Sequence, residues 1–144
     1  GYFRKTDYDS LLYKTERYVG VCAPDYPFVK KPRQISDLLG ETLIVRESGS
    51  GNREIITRSL SRQNLDLSDF HSVFEVGDMN VCMLIKGCGI GFLYEAAVKD
   101  DIKSGRLREM ELCDFQESHD ITMIWRKGSI FSDRYRSLYE QLKG

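Results

Sequence analysis

Short apolar runs alternate along this chain with segments whose apolar residues recur every three or four positions. Residues 18–23 (Tyr-Val-Gly-Val-Cys-Ala) form a compact apolar run and predict a strand. Pro24, Pro27 and Pro32 follow within a few residues and mark one long exposed connection, since proline cannot donate to a central ladder. Ser36-Asp37-Leu38-Leu39-Gly40 predicts a helical turn with a Ser cap and a Gly stop. Residues 43–46 predict a second strand. The polar stretch Ser48-Gly49-Ser50-Gly51-Asn52 then turns the chain into a helix over 53–62, with Ile55, Ile56 and Leu60 on one side. The pattern repeats. Residues 72–76 alternate as a strand does, Gly77-Asp78 is a turn with Asp78 as N-cap, and 79–86 is a helix apolar enough to be mostly buried. Gly87, Gly89 and Gly91 break that helix and launch a strand over 92–94. A helix over 96–103 is closed by Ser104-Gly105, and strands follow over 107–112 and 121–126. Ser132 caps a last helix, in which Tyr135, Leu138, Tyr139 and Leu142 fall at i, i+3, i+4 and i+7.

Strands alternating with helices imply an α/β fold, a mostly parallel sheet with helices on both faces. In such sheets ligands sit outside the carboxyl ends of the strands. Function is therefore expected in the turns after Arg46, after Val76 and near Phe92, and not in the apolar strands.

Composition narrows the class. Hydrophobic residues make up 41% of 144, and with the 12 Gly they reach the apolar share of roughly 45–50% usual in globular domains, which argues against disorder. The 21 Lys+Arg nearly balance the 22 Asp+Glu, leaving a formal charge of −1 and no bulk basic field for a phosphate backbone. The longest apolar run, Val81-Cys82-Met83-Leu84-Ile85, is too short to span a bilayer, so no membrane role is expected. Residue 1 is Gly and all four Met are internal, so the expectation is a processed product or a piece of a longer chain. Cys22, Cys82, Cys88 and Cys113 are scattered, without a CxxC pair, and read as reduced, buried, cytoplasmic cysteines. His71 and His119 lie far apart in the sequence. No ligand spacing for a metal is present, and neither a metal nor an organic cofactor is expected.

The chemistry-bearing segment is Ser48-Gly49-Ser50-Gly51-Asn52-Arg53. It follows a strand and opens a helix. Its glycines let backbone N–H groups approach a ligand, and a helix start directs unpaired N–H groups and partial positive charge outward. Ser48, Ser50 and Asn52 add donors, and Arg53 adds a charge-assisted contact for a carboxylate. The plainer reading is that Ser, Gly and Asn cap a helix and make a turn with no ligand. The stretch is neither a dinucleotide fingerprint, since Glu54 replaces the third glycine, nor a P-loop, since no Gly-Lys-Ser/Thr follows. Gly77, Asp78 and Met79 form a second strand-to-helix turn, able to face the same anion or simply to cap a helix. No GxSxG elbow or comparable nucleophile motif accompanies either histidine, so no enzyme is expected.

Three stretches in register resemble one family: Glu41-Thr42-Leu43-Ile44-Val45-Arg46 running into the Ser48–Arg53 turn; Phe74-Glu75-Val76-Gly77-Asp78 with Gly87-Cys88-Gly89-Ile90-Gly91-Phe92-Leu93 about ten residues on; and Val98-Lys99-Asp100-Asp101-Ile102-Lys103-Ser104-Gly105-Arg106-Leu107. Together they resemble the effector-binding domain of LysR-type transcriptional regulators, over nearly all of the chain. Tyr94 departs from the Pro that the family commonly carries there.

That resemblance implies a type 2 periplasmic-binding-protein-like fold of two α/β lobes, with an effector in the cleft between them. It implies that 15–94 is a complete second lobe, and that 1–14 and 95–144 are the remaining part of the first. The winged helix-turn-helix that contacts DNA in such regulators is not in this sequence. Expected partners are therefore a small effector, a carboxylate or other anion, held at Ser48–Arg53 and Gly77–Met79; DNA only through that separate domain; and further copies of the chain in a homo-oligomer. Strands 107–112 and 121–126 would lack some natural neighbours and leave apolar surface open. A peroxide-sensing cysteine is not found in the 48–51 turn. The rival readings are a solute-binding protein of a transporter on the same fold, an enzyme with a convergent acid, base or nucleophile, and a structural fragment with an empty cleft.

Overall fold

The computed structural model describes residues 8–78, 80–126 and 132–143. In chain order the elements are strand β1 (Tyr8–Cys22), β2 (Thr42–Val45), helix α1 (Gly51–Ser61), β3 (Ser72–Glu75), α2 (Asn80–Ile85), β4 (Ile90–Tyr94), α3 (Glu95–Lys103), β5 (Arg108–Glu109), β6 (Glu117–Arg126) and α4 (Ser132–Lys143). Two 3-10 turns, Ile35–Leu38 and Leu67–Asp69, lie in the connections. The chain divides into two compact units. One is Arg17–Glu117, and the other joins the segment ending at Glu16 to the segment starting at Ser118.

The larger unit is built on a sheet of order β3-β2-β4-β1-β5. β2 runs parallel to both β3 and β4, while β1 is antiparallel to β4 and to β5. The parallel core is what the alternation of strands and helices requires, since each parallel return needs a crossover. Leu43, Ile44 and Val45 are all buried because β2 is covered on both faces. Their side chains alternate between two clusters. Leu43 and Val45 join Tyr18, Phe92 and the α1 residues Ile55, Ile56 and Leu60; Ile44 joins Val19, Val21, Leu84 of α2 and Val98 of α3. Gly89, just before β4, is a packing glycine. A Cβ there would lie 2.5 Å from the Thr42 carbonyl oxygen and 3.1 Å from Ile44 Cγ1.

In the smaller unit, β6 pairs with β1 and the Thr15 hydroxyl donates to Asp120 Oδ1 at 2.8 Å. On α4, Tyr139 is buried, whereas Leu138 and Leu142 are 45% and 49% exposed. The apolar stripe read in the sequence is therefore only partly covered.

Several elements differ from the sequence reading. β1 is longer than 18–23, because its polar first half reads poorly as a core strand. The turn at Ile35–Leu38 is not capped by Ser36. The Asp37 carboxylate instead accepts from the backbone N–H groups of Arg33 and Gln34, at 3.0 and 3.2 Å. The strand expected over 107–112 shortens to two residues. β1 stops at Cys22, opposite Arg108, so Leu107 has no ladder partner, and beyond Glu109 only the Met110 N–H continues, to Gly20 O at 2.8 Å. Leu107, Met110 and Leu112 are buried without being strand. α2 is short and only Asn80 and Leu84 in it are buried. Cys22 is buried, but Cys82, Cys88 and Cys113 are exposed. Cys82 sits on a helix whose apolar look overstated its burial, and the other two lie in turns.

Candidate functional site at the carboxyl ends of β2 and β3

Because β2 and β3 are parallel and in register, with Val45 opposite Glu75, the turns that follow them leave the same end of the sheet. The Val76 N–H donates to Val45 O at 2.8 Å and extends the pairing one step. The chain then needs a sharp exit from β2. Gly49, at φ +89°, supplies the left-handed conformation that L side chains resist. Ser50 caps α1, its Oγ accepting from the Arg53 N–H at 3.4 Å, and its backbone N–H donates to Glu47 O at 3.1 Å. The cap uses an acceptor lone pair of the hydroxyl, so its O–H can still donate.

Asn52 is fixed from below. The Tyr18 hydroxyl lies 2.5 Å from Asn52 O and also contacts Asn52 Oδ1. Burial, and next the neighbouring Tyr94, push the Tyr18 hydroxyl far above the usual tyrosine range, so it stays a proton donor. Arg53 reaches back across the turn. Its Nη1 donates to Arg46 O at 3.2 Å and to Glu75 Oε2 at 2.9 Å. Arg46 grips Glu47 in a two-point fork, 3.1 Å at each contact, and stands 3.5 Å from Asp78 Oδ1. The fork holds the Glu47 carboxyl below its usual range and raises Arg46.

The two predicted turns thus meet through Arg46–Asp78 and Arg53–Glu75. Ser48, Gly49 and Arg53 line an open cavity of about 530 Å³, together with Glu54, Thr57, Arg58 and Leu67. Asn52 and Arg53, with Tyr18, Arg46 and Asn80, instead line a void of about 10 Å³ below the turn. That void has room for one water at most. Gly77 is exposed and open on all sides, and Asp78 is 99% exposed. Met79 lies outside the described residues. The Gly87–Gly91 stretch opens β4 and therefore lies at the other end of the sheet.

Sequence reading missed Tyr18, Arg46, Glu75 and Asn80. Arg46 carried a usable signal, a charge directly after an apolar parallel strand, which such a sheet places at its ligand-binding edge. Asn80 is buried and its Oδ1 accepts from the Val81 N–H at 2.9 Å, which no periodicity could show. Among the described residues no group of three or more His, Cys, Asp or Glu is placed to hold a metal ion. No helix among them is long and apolar enough to cross a membrane.

The family model for the LysR substrate binding domain matches residues 3–144. The chain belongs to that family. A LysR substrate binding domain is the effector-binding part of a transcriptional regulator, and HTH-type transcriptional regulators are among the matched relatives. The HTH-type transcriptional regulator MJ0300 of Methanocaldococcus jannaschii is 25% identical over 117 residues, covering 79% of this chain and 40% of that protein. The HTH-type regulator YwqM of Bacillus subtilis is 34% identical over 91 residues, covering 62% of this chain and 30% of that protein. The chain thus spans well under half the length of these relatives. The fold is that of the Synechocystis CcmR regulatory domain, solved in complex with 2-PG: TM-score 0.74, 19% identity, 95% of this chain and 67% of that one. Regulatory domains of this kind have the type 2 periplasmic-binding-protein-like architecture, which this LysR domain shares.

Proposed function

We propose that this LysR domain senses a small anionic metabolite, a carboxylate in the first instance, at the turn Ser48–Arg53, with Gly77, Asp78 and Met79 forming the neighbouring turn. The observation that carries the reading is the convergence at one sheet edge of a capped helix start, a serine hydroxyl with its proton unspent and the Arg53 guanidinium beside a 530 Å³ cavity. That volume falls within the range of about 300–1,000 Å³ usual for small-molecule sites. Ser50 O–H and the first-turn N–H groups would donate to the anion, and Arg53 would supply charge. No step of bond chemistry is assigned to the site.

In the whole regulator the anion would stabilise one arrangement of the effector lobes over another, since a ligand shifts an equilibrium only by binding one state better. Residues 15–94 would supply the second lobe, and 1–14 with 95–144 would belong to the first. DNA would be contacted by the helix-turn-helix domain that the relatives' names imply, copies of the chain would associate, and the protein would act in the cytoplasm.

Calorimetric titration with a panel of two- to six-carbon carboxylates tests the site. Ser50→Ala and Arg53→Ala should each weaken any hit by about tenfold, the scale of one charge-assisted hydrogen bond. Unchanged affinity in both variants would move the site elsewhere.

A further inference from the structure

The opposite end of the sheet carries a second cavity that the effector reading does not use. It has a volume of about 240 Å³ and is lined by Phe28, Lys31, Pro32, Arg108 and Met110, with Glu109 and Glu111 at its side. It lies where β1 ends, beside the pair Cys22–Arg108, and so away from the Ser48–Arg53 edge.

Its charges are unevenly matched. Glu109 is engaged by Arg17 Nη2 at 2.9 Å, and Glu111 stands 3.8 Å from Lys31 Nζ. Glu109 is therefore directed to a cation outside the cavity, and Glu111 to Lys31 in the cavity wall. Arg108 is half-buried and has no carboxylate partner among the described residues. Its guanidinium carbon lies 5.7 Å from the centroid of the Phe28 ring, and Cys22 is its cross-strand neighbour. Its Nε is buried with no acceptor. A half-buried guanidinium answered only by a ring and a thiol is undercompensated. In the neighbouring run Lys30-Lys31-Pro32-Arg33, the residues Lys30, Lys31 and Arg33 are exposed, and Lys31 lines the cavity.

We infer that this cavity is a binding site for a compact monocarboxylate with an apolar body, its carboxylate on Arg108 and Lys31 and its body against Phe28, Pro32 and Met110. The anion supplies the counter-charge that Arg108 lacks, and a planar carboxylate matches the guanidinium fork. The cavity has room for about eight water-sized groups, which suits a small ligand. A larger or multiply charged anion would meet Glu109 and Glu111. This site is independent of the Ser48–Arg53 reading and stands or falls without it.

The test is an amide-resolved NMR titration of the 144-residue chain with sodium butyrate, against sodium chloride at equal ionic strength and against butyramide. Saturable shifts are expected at Lys31, Arg108 and Met110 with butyrate alone. Arg108→Met should weaken them by about tenfold and Lys31→Ala by a smaller factor. If Arg108→Met does not fold, Arg108→Lys keeps a cation, removes the fork, and should still weaken binding several-fold. Shifts that never saturate, butyramide binding as well as butyrate, or full affinity in the Arg108 variants would overturn the proposal.

Discussion

At the carboxyl ends of β2 and β3, Arg46 and Arg53 are each met by carboxylates, Glu47 with Asp78 in one case and Glu75 in the other. At the amino end of β4, Arg108 meets a phenyl ring and a thiol. Both ends offer guanidinium groups to solution, yet they pose different problems to an anion. At Arg46 and Arg53 a ligand must share or replace an existing partner, so affinity there is a difference between two pairings. At the second it meets an unmatched charge, and affinity is limited by how much of the group is already desolvated. Counting arginines near a cavity therefore says little until their partners are known.

The strongest way to break this comparison is to remove one end altogether. Leu60 is fully buried and, with Ile55 and Ile56, seats α1 on the sheet. Leu60→Ala should destabilise the domain by about 2–5 kcal/mol in urea unfolding, and the carboxyl-end turn should lose its order with it. Anion binding at Ser48–Arg53 should then fail while butyrate shifts around Arg108 persist, provided the variant still folds at low temperature. A loss below about 1 kcal/mol would mean that the helix is held by something other than its apolar face.

Next comes Gly89→Ala, which presses on the amino end. The added methyl group would sit against the Thr42 carbonyl oxygen at 2.5 Å, so β2 or β4 must shift. Overpacking of this kind costs about 1–3 kcal/mol. A neutral result in thermal unfolding would show that the approach relaxes easily.

These two sites also show what the sequence could and could not convey. The face of α1 was legible because Ile55, Ile56 and Leu60 keep a helical period, and the Gly49 turn because its glycines and serines sit between a strand and a helix. That the core of the sheet is parallel followed from alternation alone, though the strand order did not. The two-residue β5 was not legible. Leu107, Met110 and Leu112 alternate poorly but are buried, and burial without a ladder leaves the same apolar signature as a strand. The cysteines misled for a related reason: a small apolar residue is usually inside, but Cys82 lies on the outer face of a short helix. The ion pairs of the site were invisible because they join residues 22 and 32 positions apart. A turn's composition says what it can donate, and only the fold says which carboxylate already receives it.

A smaller effect separates paired from free cations directly. Glu75→Gln keeps the size of the side chain and removes the charge that holds Arg53. The pair is half-exposed, so stability should fall by under about 1 kcal/mol. Carboxylate affinity should rise a few-fold, because the ligand no longer competes with Glu75. Weaker binding in Glu75→Gln would mean that Glu75 orients Arg53 for the ligand, and the carboxyl end would then resemble a preorganised site more than a blocked one.

The subtlest contrast is in pH. At the carboxyl end, Arg46 holds the Glu47 carboxyl below its usual range. Its stabilisation is present above the unfolded pKa and fades as pH falls through the folded one, a weak acid limb from a solvated pair. At the amino end, burial and then the hydrogen bond to Glu41, 2.9 Å long, push the Tyr26 hydroxyl up from 10.0 to about 12. Between these values the unfolded chain loses the proton and the folded chain keeps it, so stability falls as pH rises through that window. Tyr26→Phe should flatten the fall without abolishing it, because burial also raises Tyr18 and Cys22. Unfolding curves collected between pH 9 and 12 would read this as a smaller slope of stability against pH in the variant. An unchanged slope would assign the alkaline limb to Tyr18 and Cys22, and would place its origin in the core of the sheet rather than at its amino end.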